Sequence, residues 1–255
     1  ARMGASRAFQ NGNVPFEYVT PSDLAGGLGP RYGTIYLPAC ISIRAELFDL
    51  LTAYVEQGGR LVMDMPGAFY DDYGRVIETA AGSPFERLFG AVLHEYGYSR
   101  PVNNTYHLGE LELQGFVAGL STTAARTIAS YREHGTPAIT EHRLGDGSAV
   151  ILGSQASLNC CRPGNEAYEA LIRDISLDGW QAPFRCDGAI AYRLAAPAAD
   201  HYFLLNDGGP ARVTLHTPGY RYSRWLDAIT GAELDPTAAI DLPLESGRWL
   251  RLVKA

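Results

Sequence analysis

Two short apolar runs flank an amphipathic segment between residues 31 and 67, and this pattern predicts a strand–helix–strand unit. Thr34–Leu37 is apolar and β-favouring, and it ends at a proline, which cannot donate to a sheet ladder. Apolar residues then recur at helical spacing, with Ser42 as the predicted N-cap and Gly58-Gly59 as the stop. Residues 61–63 form a continuous apolar run, as in a parallel strand covered on both faces. The order of these elements predicts an open α/β sheet with a right-handed crossover.

The N-terminal segment predicts an incomplete start to that sheet. Residues 5–9 resemble the end of a helix, and residues 15–19 resemble the strand after it. A doubly wound sheet normally begins with a strand that leads into its first helix, and none precedes Ala1 in this sequence. We therefore expect either a fragment or a sheet that lacks an edge strand.

Further elements follow up to residue 175. Residues 69–82 are polar and contain glycine, which predicts a loop or small hairpin, and residues 84–89 predict a short helix with proline in its first turn. Strand patterns dominate residues 92–141. Gly145-Asp146-Gly147 lies between two apolar runs and predicts a hairpin, and residues 165–175 carry apolar side chains at helical spacing.

The pattern changes near Trp180. Beyond it the sequence predicts six short strands separated by turn residues, and no helix: residues 190–194, 201–206, 211–217, 223–227, 239–242 and 249–253. Such spacing is typical of a small antiparallel β-sandwich. The sequence therefore predicts two domains, an α/β domain over residues 1–180 and a sandwich over residues 188–255.

Composition narrows the classes of partner. The net charge is −7 and the basic residues are not clustered, which argues against nucleic acid. No apolar run is long enough to cross a bilayer. The four cysteines are too few and too unevenly spaced for a disulfide framework, so reduced thiols and a cytoplasmic location are expected, although a missing N-terminus would leave secretion open. No motif predicts a cofactor or a metal.

The carboxyl ends of the two predicted parallel strands are the candidate cleft, because open α/β sheets bind ligands at that edge. The residues at these ends are Pro38, Cys40, Ser42, Asp64, Met65, Pro66 and Gly67. Cys40 is a nucleophile only if a histidine base and a glycine-rich elbow accompany it. The sequence around Cys40 contains no glycine, which favours a structural cysteine.

Other polar pairs give weaker signals. His134 and His142 each follow a glutamate and suggest a metal site on neighbouring strands, whereas an exposed polar face is the simpler interpretation. Glu110 with Glu112, or the two glutamates that precede those histidines, supply paired carboxyls for glycoside hydrolysis. Nothing around them indicates a raised pKa, so solvated carboxylates are favoured.

Aromatic residues near the C-terminus allow two interpretations. Tyr220, Tyr222, Trp225 and Trp249 could stack on sugars. Trp225 and Trp249 are predicted instead to fill the core of the sandwich, which is the commoner role of tryptophan.

Three groups of residues resemble one known family. The first group runs from Tyr36-Leu37-Pro38 through Leu61-Val62-Met63. The second group consists of Gly135-Thr136-Pro137-Ala138, Gly145-Asp146-Gly147 and Leu152-Gly153. Residues 203–206 and 249–252 form the third. Together they resemble the C-terminal part of family 42 glycoside hydrolases, the bacterial β-galactosidases. In that family a catalytic (β/α)₈ barrel precedes an amidotransferase-like, flavodoxin-like trimerisation domain and a terminal β-sandwich.

The resemblance implies a non-catalytic assembly region. No catalytic glutamate of the family can be assigned to this sequence, because those residues lie in the barrel. An amidotransferase nucleophile would follow Met63 in the turn 64–67, where no cysteine stands. The resemblance implies a homotrimer within a glycoside hydrolase, with carbohydrate as the ligand class. The alternative is a free-standing module that binds sugar or another small molecule in the candidate cleft.

Overall fold

The computed structural model describes residues 1–27, 29–100, 104–162 and 164–255. The chain divides into two units. The first comprises Ala1–Ala8 with Glu17–Asp178, and the second comprises Phe9–Phe16 with Gly179–Ala255. None of the described helices is long and apolar enough to span a bilayer.

The first unit contains helices and strands in alternation, followed by a strand-rich middle part. In chain order its elements are α1 (Arg2–Asn11, whose last residues belong to the second unit), α2 (Pro21–Ala25), a 3₁₀ turn (Gly29–Arg31), β1 (Thr34–Leu37), α3 (Ala45–Glu56), β2 (Arg60–Asp64), α4 (Pro84–Phe89), β3 (Ala91–Ser99), β4 (His107–Leu108), β5 (Leu111–Glu112), β6 (Gly115–Thr122), β7 (Arg126–Ser130), β8 (Pro137–Leu144), β9 (Gly147–Leu152), α5 (Ala156–Asn159) and α6 (Glu166–Leu177).

A five-stranded mixed sheet forms the centre of this unit, in the order β1-β2-β9-β8-β7. β1, β2 and β9 are parallel, and β8 and β7 add antiparallel strands at one edge. Leu61 and Met63 face a core cluster that includes α3 and α4 side chains, while α6 contacts β1 and β2. Helices on both faces explain why β2 is a continuous apolar run. The predicted α/β class and both parallel strands are confirmed.

Helix α3 agrees with the sequence except at its beginning. Phe48, Leu51 and Val55 are buried along one face, and Gly58, with φ of 101°, follows the helix end as predicted. The predicted cap at Ser42 is wrong, because the helix begins after Arg44 and has no side-chain cap. The Ser42 hydroxyl instead donates to the backbone oxygen of Asp71 at 2.7 Å.

The segment after β2 forms a small hairpin over residues 69–77. Its two arms meet at a bridge between Tyr70 and Val76, and the Ile77 amide donates to the Phe69 carbonyl at 2.9 Å. Helix α4 follows, with the Ser83 hydroxyl accepting from its third amide. The hairpin and the short helix confirm the prediction for residues 69–89.

The predicted strand over residues 15–19 is wrong. Residues 14–20 carry no strand or helix, and no strand of the sheet pairs with them among the described residues. The Glu17 carboxylate instead accepts from the Tyr32 hydroxyl at 2.6 Å. A β-favouring segment forms a strand only where it pairs with a neighbouring strand. Residues 15–19 do not pair with β1, which therefore stays an edge strand of the described sheet.

The second unit contains eight strands, which are the six predicted ones and two short additions, β10 and β15. They are β10 (Arg185–Asp187), β11 (Ile190–Ala195), β12 (Ala199–Asn206), β13 (Ala211–His216), β14 (Tyr222–Asp227), β15 (Glu233–Leu234), β16 (Ile240–Leu242) and β17 (Ser246–Lys254).

These strands form two antiparallel sheets, β11-β12-β17-β14-β15 and β10-β13-β16. Leu204, Leu250 and Trp225 belong to one core cluster with residues of the smaller sheet. The predicted burial of Trp225 is confirmed. The predicted burial of Trp249 is wrong, because its side chain is 37% exposed. Successive side chains of a strand point to opposite faces, and the next residue, Leu250, is the one that faces the core.

Candidate functional site

The loops that follow β1 and β2 lie side by side at the carboxyl edge of the sheet. The Ala68 amide donates to the Cys40 carbonyl at 2.9 Å, and the Ile43 amide donates to the Tyr70 carbonyl at 2.9 Å. The structure therefore brings together the two halves of the candidate cleft, residues 38–42 and residues 64–67. Whether they bind anything depends on what their side chains already contact.

Asp64 ends β2 and is 0% exposed. One carboxylate oxygen accepts from the Ala39 amide and the other from the Ser157 amide, the latter at 2.7 Å. Burial raises the pKa of Asp64 from 3.8 to about 6, and the hydrogen bonds from Ser157 and Ala39 oppose that rise. The carboxyl group thus links the ends of β1 and β2 to α5, and it does not reach solvent.

The backbone beyond Asp64 is sharply bent. Ala68 has φ of 56° and is buried, so a methyl group occupies the left-handed position of the bend. A Cβ atom on Gly67 would lie 2.7 Å from the Met63 sulfur and 2.9 Å from the Asp64 carbonyl oxygen, so only glycine fits there. Enzymes place a nucleophile at such bends, but this bend presents alanine.

The Cys40 thiol has no activating environment. Burial, and secondly the negative charge of Asp64, raise the pKa of Cys40 above its ordinary value. Its sulfur lies 3.5 Å from the Ser42 carbonyl oxygen. Because the thiolate is the nucleophilic form, a raised pKa favours the inert thiol at neutral pH.

The two glutamates that precede the candidate histidines have structural partners. The Glu133 carboxylate contacts His107 Nδ1 at 2.6 Å. Glu141 is buried, with Arg60 at 2.7 Å and the Nε of Arg126 at 2.8 Å. These two glutamates therefore do not form an acid–base pair. Glu110 and Glu112 are both exposed around the β4–β5 turn.

The predicted histidine pair is also not brought together as a metal site. The Nδ1 atom of His142 lies 3.0 Å from the Leu88 carbonyl oxygen, and the His134 ring packs edge-on against Tyr106. Among the residues that the structure describes, no group of three or more His, Cys, Asp or Glu side chains could hold a metal ion.

The sequence did not reveal an exposed apolar surface beside the two loops. Its side chains, named here the hairpin surface, come from the loop after β1, the 69–77 hairpin and β3: Ile41, Tyr70, Tyr73, Val76, Tyr96 and Tyr98. The Phe69 ring contacts Tyr96 at 4.7 Å between centroids and holds the hairpin against β3. The sequence signal that could have indicated this surface is the presence of Tyr70 and Tyr73 within a polar, glycine-containing stretch.

A tryptophan and a histidine on the outer sheet face of the second unit were likewise missed as a pair. The Trp249 Nε1–H group donates to His201 Nδ1 at 2.9 Å, and the Trp249 ring stacks with Phe203. Tyr220 and Tyr222 do not join them in one platform. Tyr222 donates to the buried Asp200 carboxylate at 2.6 Å, and the Arg193 guanidinium lies over the Tyr220 ring at 3.8 Å.

The chain is similar in sequence to known β-galactosidases. A family model described as the β-galactosidase trimerisation domain matches residues 7–178. β-Galactosidase LacZ of Heyndrickxia coagulans is 21% identical over 177 residues, which are 66% of this chain and 25% of LacZ. The chain thus spans about a quarter of that relative's length.

Solved structures resemble the fold over nearly the whole chain. A catalytic mutant of Gan42B, a GH42 β-galactosidase from G. stearothermophilus, has a TM-score of 0.79 at 19% identity, covering 98% of this chain and 36% of that one. The β-galactosidase from Bacillus circulans sp. alkalophilus has a TM-score of 0.76 at 15% identity, covering 98% and 37%. The resemblance inferred from the sequence is confirmed.

Proposed function

The chain belongs to the β-galactosidase trimerisation-domain family, and on that premise we propose that it is a non-catalytic assembly region of a glycoside hydrolase. The observation that supports this most directly is the closed carboxyl edge of the sheet. Asp64, Met65 and Ala68 are all fully buried there, and the Asp64 carboxylate, which is the one nucleophilic group among them, is enclosed by backbone amides. A fold that carries chemistry in other proteins here holds buried side chains and hydrogen bonds within the chain at the corresponding place.

Glycoside hydrolysis sets a requirement that the described residues do not meet at this edge. It needs two carboxyl groups about 5–10 Å apart on either side of the sugar, one of them with a raised pKa. Asp64 has a raised pKa but cannot touch a substrate, because it is 0% exposed. We therefore assign the hydrolytic activity of the whole protein, β-galactosidase-like by its relatives, to residues outside this chain.

The alternative of a free-standing sugar-binding module in the candidate cleft is not favoured. Its residues Met65 and Asp64 point into the core, and the Ser42 hydroxyl and the Asp64 carboxylate are already hydrogen-bonded within the chain. A ligand site instead offers a concave surface with polar groups that converge on the ligand.

We further propose that residues 1–180 supply the subunit contacts of a homotrimer and that residues 188–255 are the terminal β-sandwich. The four cysteines are free thiols, which fits a reducing compartment such as the bacterial cytoplasm.

Two measurements on the purified 255-residue chain test the assembly role. In the hydrolysis of nitrophenyl β-galactoside we expect no rate above the buffer background, with a barrel-containing GH42 β-galactosidase as the positive control. In size-exclusion chromatography with light scattering we expect a mass that is a multiple of the chain mass and depends on concentration. Turnover by the chain alone, or a strict monomer at high concentration, would contradict the proposal.

A further inference from the structure

The outer face of the larger sheet in the second unit carries a row of aromatic rings. Tyr192, Phe203 and Trp249 lie opposite one another on β11, β12 and β17. Tyr192 is 41% exposed and Trp249 is 37% exposed, whereas their chain neighbours Ala191 and Leu250 belong to the core. Neighbouring strands are ~4.8 Å apart, so the row is about 10 Å long. It is therefore a surface feature that can contact more than one sugar ring.

The Trp249 ring is held in one orientation. Its Nε1–H group donates to His201 Nδ1 at 2.9 Å, and its plane lies within 21° of the Phe203 ring, with 5.6 Å between centroids. Because the indole nitrogen only donates, His201 Nδ1 accepts, and the proton of the neutral imidazole is on Nε2. His201 thus keeps an Nε2–H donor beside the indole. A ring that is fixed before binding loses little conformational entropy when a ligand packs on it.

Small residues and a second donor surround this indole. Gly247 occupies the preceding outward position on β17 and has no side chain. The Ala228 amide donates to the Trp249 carbonyl at 2.9 Å, so the neighbour of Trp249 across the strands is an alanine. Arg251, at the next outward position, is exposed and lies opposite His201 in the strand register. The indole is therefore an apolar surface with room beside it and polar donors at its border.

The chemistry of this face matches a sugar. Among the described residues, no carboxylate occupies an outward position of β11, β12 or β17, although the net charge of the chain is −7. A cationic partner would find no opposite charge there. A sugar ring presents C–H groups on its face and hydroxyls at its edge, which suit an aromatic ring bordered by hydrogen-bond donors. In galactose one axial hydroxyl leaves a patch of C–H groups on the opposite face of the ring.

We propose that this outer face binds a chain of β-linked galactose residues. The Trp249 indole is the stacking surface, and His201 and Arg251 donate hydrogen bonds to the hydroxyls. The choice of galactose rests on the proposed function, because the relatives are β-galactosidases, whereas the aromatic row and its donors do not depend on it. A galactan chain held here has a raised local concentration beside the enzyme.

Affinity electrophoresis of the full 255-residue chain measures this binding, in native gels with and without β-1,4-galactan. We expect galactan to retard the wild type. Trp249→Ala should weaken binding at least about tenfold, because it removes the stacking surface. His201→Ala should weaken it about fivefold, because it removes one donor and releases the indole. Trp180→Phe is the matched control and leaves binding unchanged, since Trp180 is 49% exposed in the same unit but lies outside the sheet.

The outcomes separate this site from the assembly function. Unchanged circular dichroism confirms that each variant folds, and His201→Ala decides the test if Trp249→Ala alters the spectrum. The site is refuted if galactan does not retard the wild type, or if it retards the wild type and the folded Trp249→Ala variant equally. It is also refuted if Trp249→Ala changes the mass in light scattering while galactan retards neither protein, since the face then contacts a protein. A wild type that is retarded but strictly monomeric supports the site and contradicts the assembly function.

Discussion

Replacing Asp64 by asparagine removes a buried titrating group while keeping the side-chain shape. In the folded chain, burial raises the pKa of Asp64 from 3.8 to about 6. Between these values the folded state retains a proton that the unfolded chain has released. The stability that protonated Asp64 contributes is therefore fully present below about pH 3.8 and is lost as the pH rises through about 6.

The magnitude follows from the size of the pKa change. A rise from 3.8 to about 6 corresponds to ~3 kcal/mol, with a slope of at most ~1.4 kcal/mol per pH unit. We expect the free energy of unfolding of the wild type, minus that of Asp64→Asn, to fall by roughly 2.4 kcal/mol between pH 4 and pH 7, since a small part of the change already lies below pH 4. Because Asp64 is fully buried, solvent screening does not reduce this value much.

The assay must follow the first unit specifically. All three tryptophans lie in the second unit, so tryptophan fluorescence does not report on β2. Amide hydrogen exchange in urea, read by mass spectrometry on peptides that cover β2 and β9, follows the correct region. Asp146→Asn, at an exposed carboxylate in the β8–β9 turn, is the matched control. A difference that grows with pH would refute the reasoning, since it would mean that the amide hydrogen bonds outweigh burial.

Four further substitutions test the packing. Gly67→Ala should cost about 1–3 kcal/mol in thermal unfolding, because its Cβ would lie 2.7 Å from a methionine sulfur; an unchanged melting temperature would contradict this. Arg60→Leu should cost about 3–5 kcal/mol in urea unfolding by removing the more buried of the two arginines that pair with Glu141, which is 2% exposed; a loss under 1 kcal/mol would count against it. Trp225→Ala should cost about 3–5 kcal/mol and Trp249→Ala about 1 kcal/mol in fluorescence-monitored unfolding, and equal losses would place both rings in the core.

The sequence correctly predicted those helices and strands whose own residues show a periodic apolar pattern or a clear turn signal. β1, β2, α4 and the β8–β9 hairpin appear where apolar runs, turn glycines and a proline predicted them. The resemblance to family 42 glycoside hydrolases was also readable, because its motifs are strand ends and turns that are contiguous in the sequence. The candidate cleft could be located by topology, since carboxyl ends of parallel strands share one edge.

Side-chain environments could not be read in this way. Ser42 looked like a helix cap, but its hydroxyl bonds to Asp71, a residue 29 positions later. The sequence placed Asp64 in a cleft, but the Ala39 and Ser157 amides enclose it in the core. The segment 15–19 looked like a strand, yet strand formation depends on a partner that sequence periodicity does not supply.

The sequence by itself determined most of the elements, apart from the strand expected at residues 15–19 and the short strands β10 and β15. It also determined the α/β character of the first part, the sandwich of the second and the family, because periodicity and turn chemistry act over a few residues. Tertiary structure decided that the carboxyl edge is closed and that Trp249 faces outward. Those outcomes depend on contacts between distant residues, whose burial sets both the pKa of Asp64 and the surface left for a partner.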